Sequence, residues 1–335
     1  MSVVGRSDET RSNEGMRSYG VVYRSKKILS IIGIALSLIF LVVTFSKINL
    51  TTLYEEIKKI NIFFYLLAIL LNFLILYLKS FRLHIFLSTI KKTNINTIFK
   101  SSIVGQMANN ILPAKIGEIM KVYLIGKKET ISKASVVSSV LADKLFETIS
   151  MVLLFCIVPL FIDHLETWLV TTIIVIGLVS CVAYGIMLFF VFKKHTPISN
   201  PNKQWLQKKW IRFSEGLALL KKVKSHIYVL VLSLMIWILF IVSLYCVQLS
   251  LQVSLPIIAS LLVLITTSVV AAIPSAPSNI GHYEFAGIVT YSFFNISRET
   301  SLSIILLFHA IHIIPFTIIG LIIFWKMGLQ WNKIN

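Results

Sequence analysis

The sequence predicts an all-α integral membrane protein, with six full spans and two re-entrant helical hairpins arranged as an inverted repeat. Three observations predict it. Hydrophobic residues make up 56% of the 335-residue chain and charged residues only 14%, against about 25% charge in a soluble domain. The motif Pro-x-x-Ile-Gly occurs twice, at Pro113–Gly117 and Pro277–Gly281, each time breaking an uncharged stretch. Most of the 32 Lys and Arg lie between the apolar stretches, which is how cytoplasmic loops are marked.

Each element follows from length and charge. Residues 1–27 are polar and basic without periodicity, as in a disordered cytoplasmic tail. Residues 28–45 make the first span. A cleaved signal peptide is the alternative, but the leader is long and no A-x-A site follows. Residues 62–78 make the second span. Residues 101–114 are uncharged but short of the ~20 residues a crossing needs. Residues 134–158 are a third span charged in its middle, and 167–192 are a fourth without a charge. The fifth, 227–248, precedes an uncharged stretch at 256–273 that breaks at Pro274, Pro277 and Gly281. Residues 301–325 are the last span, before a short tail at 326–335.

Between spans four and five, residues 193–226 carry nine Lys and Arg against one acid, Glu215. Leu206, Trp210, Phe213, Leu217 and Leu220 recur there at helical spacing. Residues 203–224 therefore read as an amphipathic helix lying on an anionic leaflet. A partner-binding helix is the competing reading. The net charge of +18 belongs to topology rather than to nucleic acid, because no basic soluble module is present.

The basic residues favour both termini in the cytoplasm. That orientation closes if 101–126 dips in from the cytoplasm and 256–296 dips in from outside. Repeat one (28–158) and repeat two (167–325) then read span, span, hairpin, span from opposite sides, offset by about 165 residues. Two full crossings at 256–296 would give the same orientation, but the second limb is short and the loop 274–282 has no Lys or Arg.

A re-entrant hairpin brings helix starts to membrane depth, where a partial positive charge and free N–H groups suit an anion. Pro113 and Gly117 shape one such start, Pro277 and Gly281 the other. Asn110, Asn279 and neighbouring Ser and Asn add hydrogen-bonding groups, and Lys115 and Lys121 flank the first break. The competing reading is a pair of Pro-Gly turns between ordinary helices. In span three, Ser135, Ser139, Asp143 and Glu147 are spaced by four and share a face. Asp143 lies nine residues in, ~14 Å at helical rise, near the bilayer middle. Intramembrane charges face an interior or a cavity, though they also serve as structural pairs between helices. Lys144 points off that face and needs an acid elsewhere. Glu118 and Glu284 follow the two breaks. His309 and His312, one turn apart in the last span, are candidates to relay protons with Glu284, or to be packed by hydrogen bonds. Asp143, Lys144, Glu147, His309 and His312 are thus the gating or proton-coupling set.

The chain has no nucleotide-binding P-loop, no H-E-x-x-H and no Ser nucleophile elbow. No catalytic residue, cofactor or metal site is expected. Cys156, Cys181 and Cys246 sit in apolar runs without ligand spacing.

The string Asn110-Ile-Leu-Pro-Ala-Lys-Ile-Gly117-Glu118-Ile-Met-Lys121, then Asp143-Lys144-x-x-Glu147, then Pro274-x-x-Pro277-x-x-x-Gly281-x-x-Glu284 resembles the lysylphosphatidylglycerol synthase transmembrane family over about residues 28 to 325. These are flippase-like proteins related to the lipid-translocating half of the multiple peptide resistance factor. The resemblance implies movement of an anionic or polyprenyl-linked lipid between leaflets, beside cell-envelope glycan synthesis and its enzymes. Lys121 stands where Arg is expected, Lys144 where an Asp-Arg pair is usual, and Ser278-Asn279 where Gly is common, which leaves the head group open. The aminoacyltransferase module of longer relatives is not in this chain, so lysyl-lipid synthesis is not expected of it. Two rival readings remain: a membrane-embedded transferase or phosphatase on a lipid-linked substrate, and a non-catalytic membrane partner of a glycosyltransferase.

Overall fold

The computed structural model describes residues 38–46, 48–112, 115–160, 167–192, 211–215, 217, 220, 223–271 and 276–327. The predicted N-terminal tail, most of the C-terminal tail, most of the first span, most of the amphipathic insert, Pro113 and Pro274 lie outside the described residues. Those described are helical, with no strand among them. The helices are α1 (Leu38–Phe45), α2 (Leu50–Lys58), α3 (Ile62–Ser88), α4 (Ile95–Ile111), α5 (Ile116–Lys128), α6 (Lys133–Phe155), α7 (Thr167–Phe192), α8 (Val223–Ser250), α9 (Ile257–Ala271), α10 (His282–Ser292) and α11 (Arg298–Lys326).

Helix starts are set locally. Asn49, Asn61 and Asn94 each turn a side-chain oxygen onto a backbone N–H of the first turn of α2, α3 and α4, and Ser297 does the same for α11. Short polar side chains at this position satisfy donors that the helix leaves open. Two breaks come without such a cap. Lys115 takes a left-handed conformation (φ 55°) just before α5, and Ser278, Asn279 and Gly281 all have positive φ just before α10.

α3, α8, α11 and residues 170–189 of α7 are long and apolar enough to cross a membrane. They coincide with the predicted second, fifth, sixth and fourth spans. α3 runs ten residues past its predicted end, for 27 residues, or about 40 Å. The residues predicted as the third span form the helix α6, with Asp143, Lys144 and Glu147 in its middle, and it is not among the helices apolar enough to cross by composition. α4 and α9 have 17 and 15 residues, about 25 and 22 Å at helical rise, against a ~30 Å hydrocarbon core. α4 folds back as α5, and α9 as α10. Rows of bare apolar side chains on α3 (Phe63, Leu66, Leu70, Leu74) and α7 (Ile174, Leu178, Val182, Phe189) are the surface a bilayer would cover.

The main core joins α8 (Trp237, Leu244, Val247) to α9 (Leu262, Ile265), α10 (Tyr291) and α11 (Ile304, Phe308). Polar side chains inside it are paired. Gln248 donates to Tyr291 Oη at 2.8 Å and accepts from Ser260 at 3.1 Å. Asn72 of α3 donates to Ser243 of α8 at 2.6 Å. Lipid offers no alternative partner, so such bonds and small residues replace hydrophobic driving force between helices. α4 crosses α5 closely. A Cβ on Gly117 would stand 1.9 Å from the Gly105 carbonyl oxygen and 2.5 Å from Asn109 Oδ1.

Candidate functional site

The polar face of α6 meets α3 in a buried ionic network. Arg82, with no exposed surface, donates to both oxygens of Asp143 at 2.6 and 3.2 Å, to Glu147 at 3.3 Å and to Ser233 of α8 at 2.8 Å. Lys79, one turn earlier on α3, pairs with Glu147 at 2.6 Å and lies 5.1 Å from the Phe240 ring centre. Around the helix, Lys144 turns toward hairpin one and pairs with Glu118 of α5 at 3.2 Å. Glu118 is also held by Lys121, at 2.8 Å. These are the acids and lysines that the sequence marked on α5 and α6.

They line a small, partly open polar cavity of about 80 Å³. Lys79, Lys121 and Lys144 face it with Glu118, Asp143 and Glu147, while Gly105 and Gly117 form its backbone wall. Arg82 stands behind Asp143, so the cluster as a whole carries one more cation than acids. Asn109 lines the same wall, and its buried Oδ1 has no hydrogen-bond donor.

The other predicted residues gather where the hairpin tips meet, not in this cavity. Lys115 donates to the carbonyl of Ala271, the last residue of α9, at 2.8 Å. It thereby caps a helix end that has no internal partner. Asn110 donates to the carbonyls of His312 and Ile313 and to Thr317 Oγ1 at 3.0–3.3 Å, beside Pro315 of α11. Pro277 and Asn279 form the short turn before α10. The Gly281 N–H donates to Glu284 Oε2 at 2.7 Å, so the start of α10 is capped by its own carboxylate. Glu284 Oε1 lies 2.6 Å from His309 Nδ1, and His309 Nε2 lies 2.9 Å from the Ser278 carbonyl. Glu284 and His309 form the floor of a second, largely apolar cavity walled by α1 and α11.

His312 does not extend this chain of contacts. Its Nδ1–H donates to the Phe308 carbonyl at 2.9 Å, and its ring stacks on Phe240. The predicted set therefore falls into two clusters rather than one cradle. Lys79 and Arg82 lie just past residue 78, where the sequence ended the second span, and were not among the expected site residues. Their spacing of three, facing the acidic stripe of α6, is the signal that places them at the site. Pro113 lies outside the described residues. No group of His, Cys, Asp and Glu able to hold a metal occurs among the described residues.

Long apolar helices, bare apolar rows and a charged cavity between them define a multi-pass integral membrane protein. Its sequence matches the profile of the lysylphosphatidylglycerol synthase TM region over residues 30–320, and the chain belongs to that family. It is 26% identical over 228 residues to a UPF0104 membrane protein of Methanocaldococcus jannaschii, covering 65% of this chain and 92% of the relative. It is 25% identical over 309 residues to a UPF0104 membrane protein of Methanothermobacter thermautotrophicus, covering 82% of this chain and 87% of that one. No solved structure matches the chain.

Proposed function

We propose that the protein moves an anionic or polyprenyl-phosphate-linked lipid between the leaflets of the cytoplasmic membrane, serving cell-envelope lipid or glycan synthesis. The observation that carries this reading is the cavity between hairpin one and α6, with three lysines on its wall. Lysines held inside an apolar bundle mark a path for charge. Ammonium groups suit a phosphate, while the tails stay in the bilayer.

The arrangement of elements supports the same reading. Two short hairpins, α4–α5 and α9–α10, touch through Lys115 and Ala271 and through Ser278 and Asn110. In a bilayer they dip in from opposite sides as an inverted repeat, with six full spans and both termini in the cytoplasm. His309 joins Glu284 through Nδ1 at 2.6 Å and Ser278 through Nε2, which lies 2.9 Å from the carbonyl and 3.3 Å from the hydroxyl. Gating or proton coupling of the path belongs to this pair. Residues 203–224 dock on the anionic leaflet or on a glycan-synthesis enzyme.

The test is reconstitution in liposomes with labelled phospholipids and polyprenyl phosphates. Wild type should flip at least one of them faster than empty liposomes, and the Glu118→Ala, Glu284→Ala double variant should not. Equal rates for both proteins reject the site. Turnover of a lipid phosphate in detergent, where no leaflets exist, would replace transport with enzymatic chemistry.

A further inference from the structure

The ionic network has two unlike halves. Arg82 has no exposed surface and spends its donors on Asp143, Glu147 and Ser233, which ties α3, α6 and α8 together. Glu118 and its partners are different. The Glu118 side chain is 28% exposed, and Lys144 is 48% exposed. Both face the cavity, and their contact is the ion pair that joins hairpin one to α6. A carboxylate gripped by two ammonium groups in an open cavity presents the same charge and acceptor geometry as two oxygens of a phosphate.

We propose that Glu118 is a tethered stand-in for the phosphate of the lipid head group, and that the incoming phosphate takes its place between Lys121 and Lys144. This rests on the transport reading above. It adds the site, the ligand chemistry and a consequence. A phosphate held there releases Glu118 and itself bridges Lys121 of α5 to Lys144 of α6, so the tie between hairpin one and α6 passes from Glu118 to the ligand. Asn109 Oδ1, buried on the cavity wall without a donor, accepts a hydroxyl from the head group. A tethered competitor acts at an effective concentration of about millimolar or more. An incoming phosphate must therefore compete with Glu118 for Lys121 and Lys144.

The prediction runs against the ordinary effect of removing a site residue, since Glu118→Gln should bind phosphate more tightly. The probes are inorganic phosphate and dihexanoyl phosphatidylglycerol, added to the full chain in lipid nanodiscs. The readout is the thermal midpoint at constant ionic strength, with chloride as control. Glu118→Gln should respond to either probe at a concentration about tenfold lower than wild type needs, a gap of ~1.4 kcal/mol. The Lys121→Met, Lys144→Met variant should lose the response. Glu118→Asp, one methylene shorter, should shift the same way by less, which keeps the test open if Glu118→Gln folds poorly. An unchanged or weaker response in both Glu118 variants overturns the proposal. A response to the lipid at lower concentration than to phosphate supports a lipid ligand. Equal responses assign the cavity to free phosphate and overturn the lipid assignment. Tighter binding by Glu118→Gln without flipping by wild type would sink the transport reading and leave the stand-in intact. Flipping without tighter binding would do the reverse.

Discussion

Arg82 and Asp143, 61 positions apart in the chain, form a two-pronged ion pair at 2.6 and 3.2 Å, with Arg82 wholly enclosed. The pair ties α3 to α6, and Ser233 extends it to α8. Burying charge in an apolar bundle is costly, and the cost is met only while every partner is present.

Removing one member should therefore cost more than removing both. Arg82→Met or Asp143→Leu alone should each lower stability by about 3–5 kcal/mol, because a buried charge loses its partner. The double variant should recover most of the loss. Thermal midpoints in nanodiscs check this, and a double variant as unstable as the sum of the singles would count against the pairing.

The hairpin crossing gives a steric prediction with its own control. Gly117→Ala puts a Cβ 1.9 Å from the Gly105 carbonyl oxygen and 2.5 Å from Asn109 Oδ1, and the backbone oxygen cannot swing aside as a side chain can. α4 and α5 must separate, at a cost of about 1–3 kcal/mol as in overpacked cores. Gly185→Ala on α7 meets nothing within 4 Å and should gain up to ~1 kcal/mol from helix propensity. Opposite signs for the two substitutions in one unfolding assay are the expected result.

Asn110 holds the tip of hairpin one to α11. Its amide donates to three oxygens around Pro315, where the proline interrupts helical hydrogen bonding. Asn110→Asp keeps the size but turns acceptors toward acceptors, so it should destabilise by about 1–3 kcal/mol or more. Asn110→Leu should cost less than Asn110→Asp, since it adds no unpaired charge. Hydrogen exchange at the end of α4 should rise in both variants.

Much of this arrangement was legible in the sequence because charge is rare in it. Glu118, Asp143 and Glu147 stand out against an apolar background, and the spacing by four fixed the polar face of α6. Lys144, pointing off that face, required an acid elsewhere, and Glu118 is that acid. Lys79 and Arg82 were hidden because α3 runs on past its apolar part. A basic residue after an apolar run reads as a loop charge until an element packed against it supplies acids. The separation into two clusters was also hidden. Asn110 is adjacent in sequence to the first break, but its amide turns across to α11, and only tertiary packing decides between those directions. The second hairpin was expected to offer free N–H groups, yet the Gly281 N–H is taken by Glu284 three residues on. The capping-box spacing held that signal.

The two histidines of α11 make different contacts. His309 touches Glu284 and the Ser278 carbonyl, whereas His312 stacks on Phe240 at 6.0 Å between ring centres and bonds its own helix at Phe308. His312→Phe keeps a flat ring in that stack and loses one local hydrogen bond, so lipid flipping and its dependence on a proton gradient should be nearly unchanged. His309→Phe removes both contacts of the second tip and leaves Glu284 with backbone partners such as the Gly281 N–H. Flipping should fall by about tenfold or more, the loss of ~1.4 kcal/mol that one charge-assisted hydrogen bond supplies. His309→Gln restores a donor of similar reach but cannot titrate. It should recover flipping without recovering the response to an imposed pH gradient in liposomes. A gradient response that survived in His309→Gln would place the titrating group elsewhere, with Glu284 itself the next residue to exchange, as Glu284→Gln.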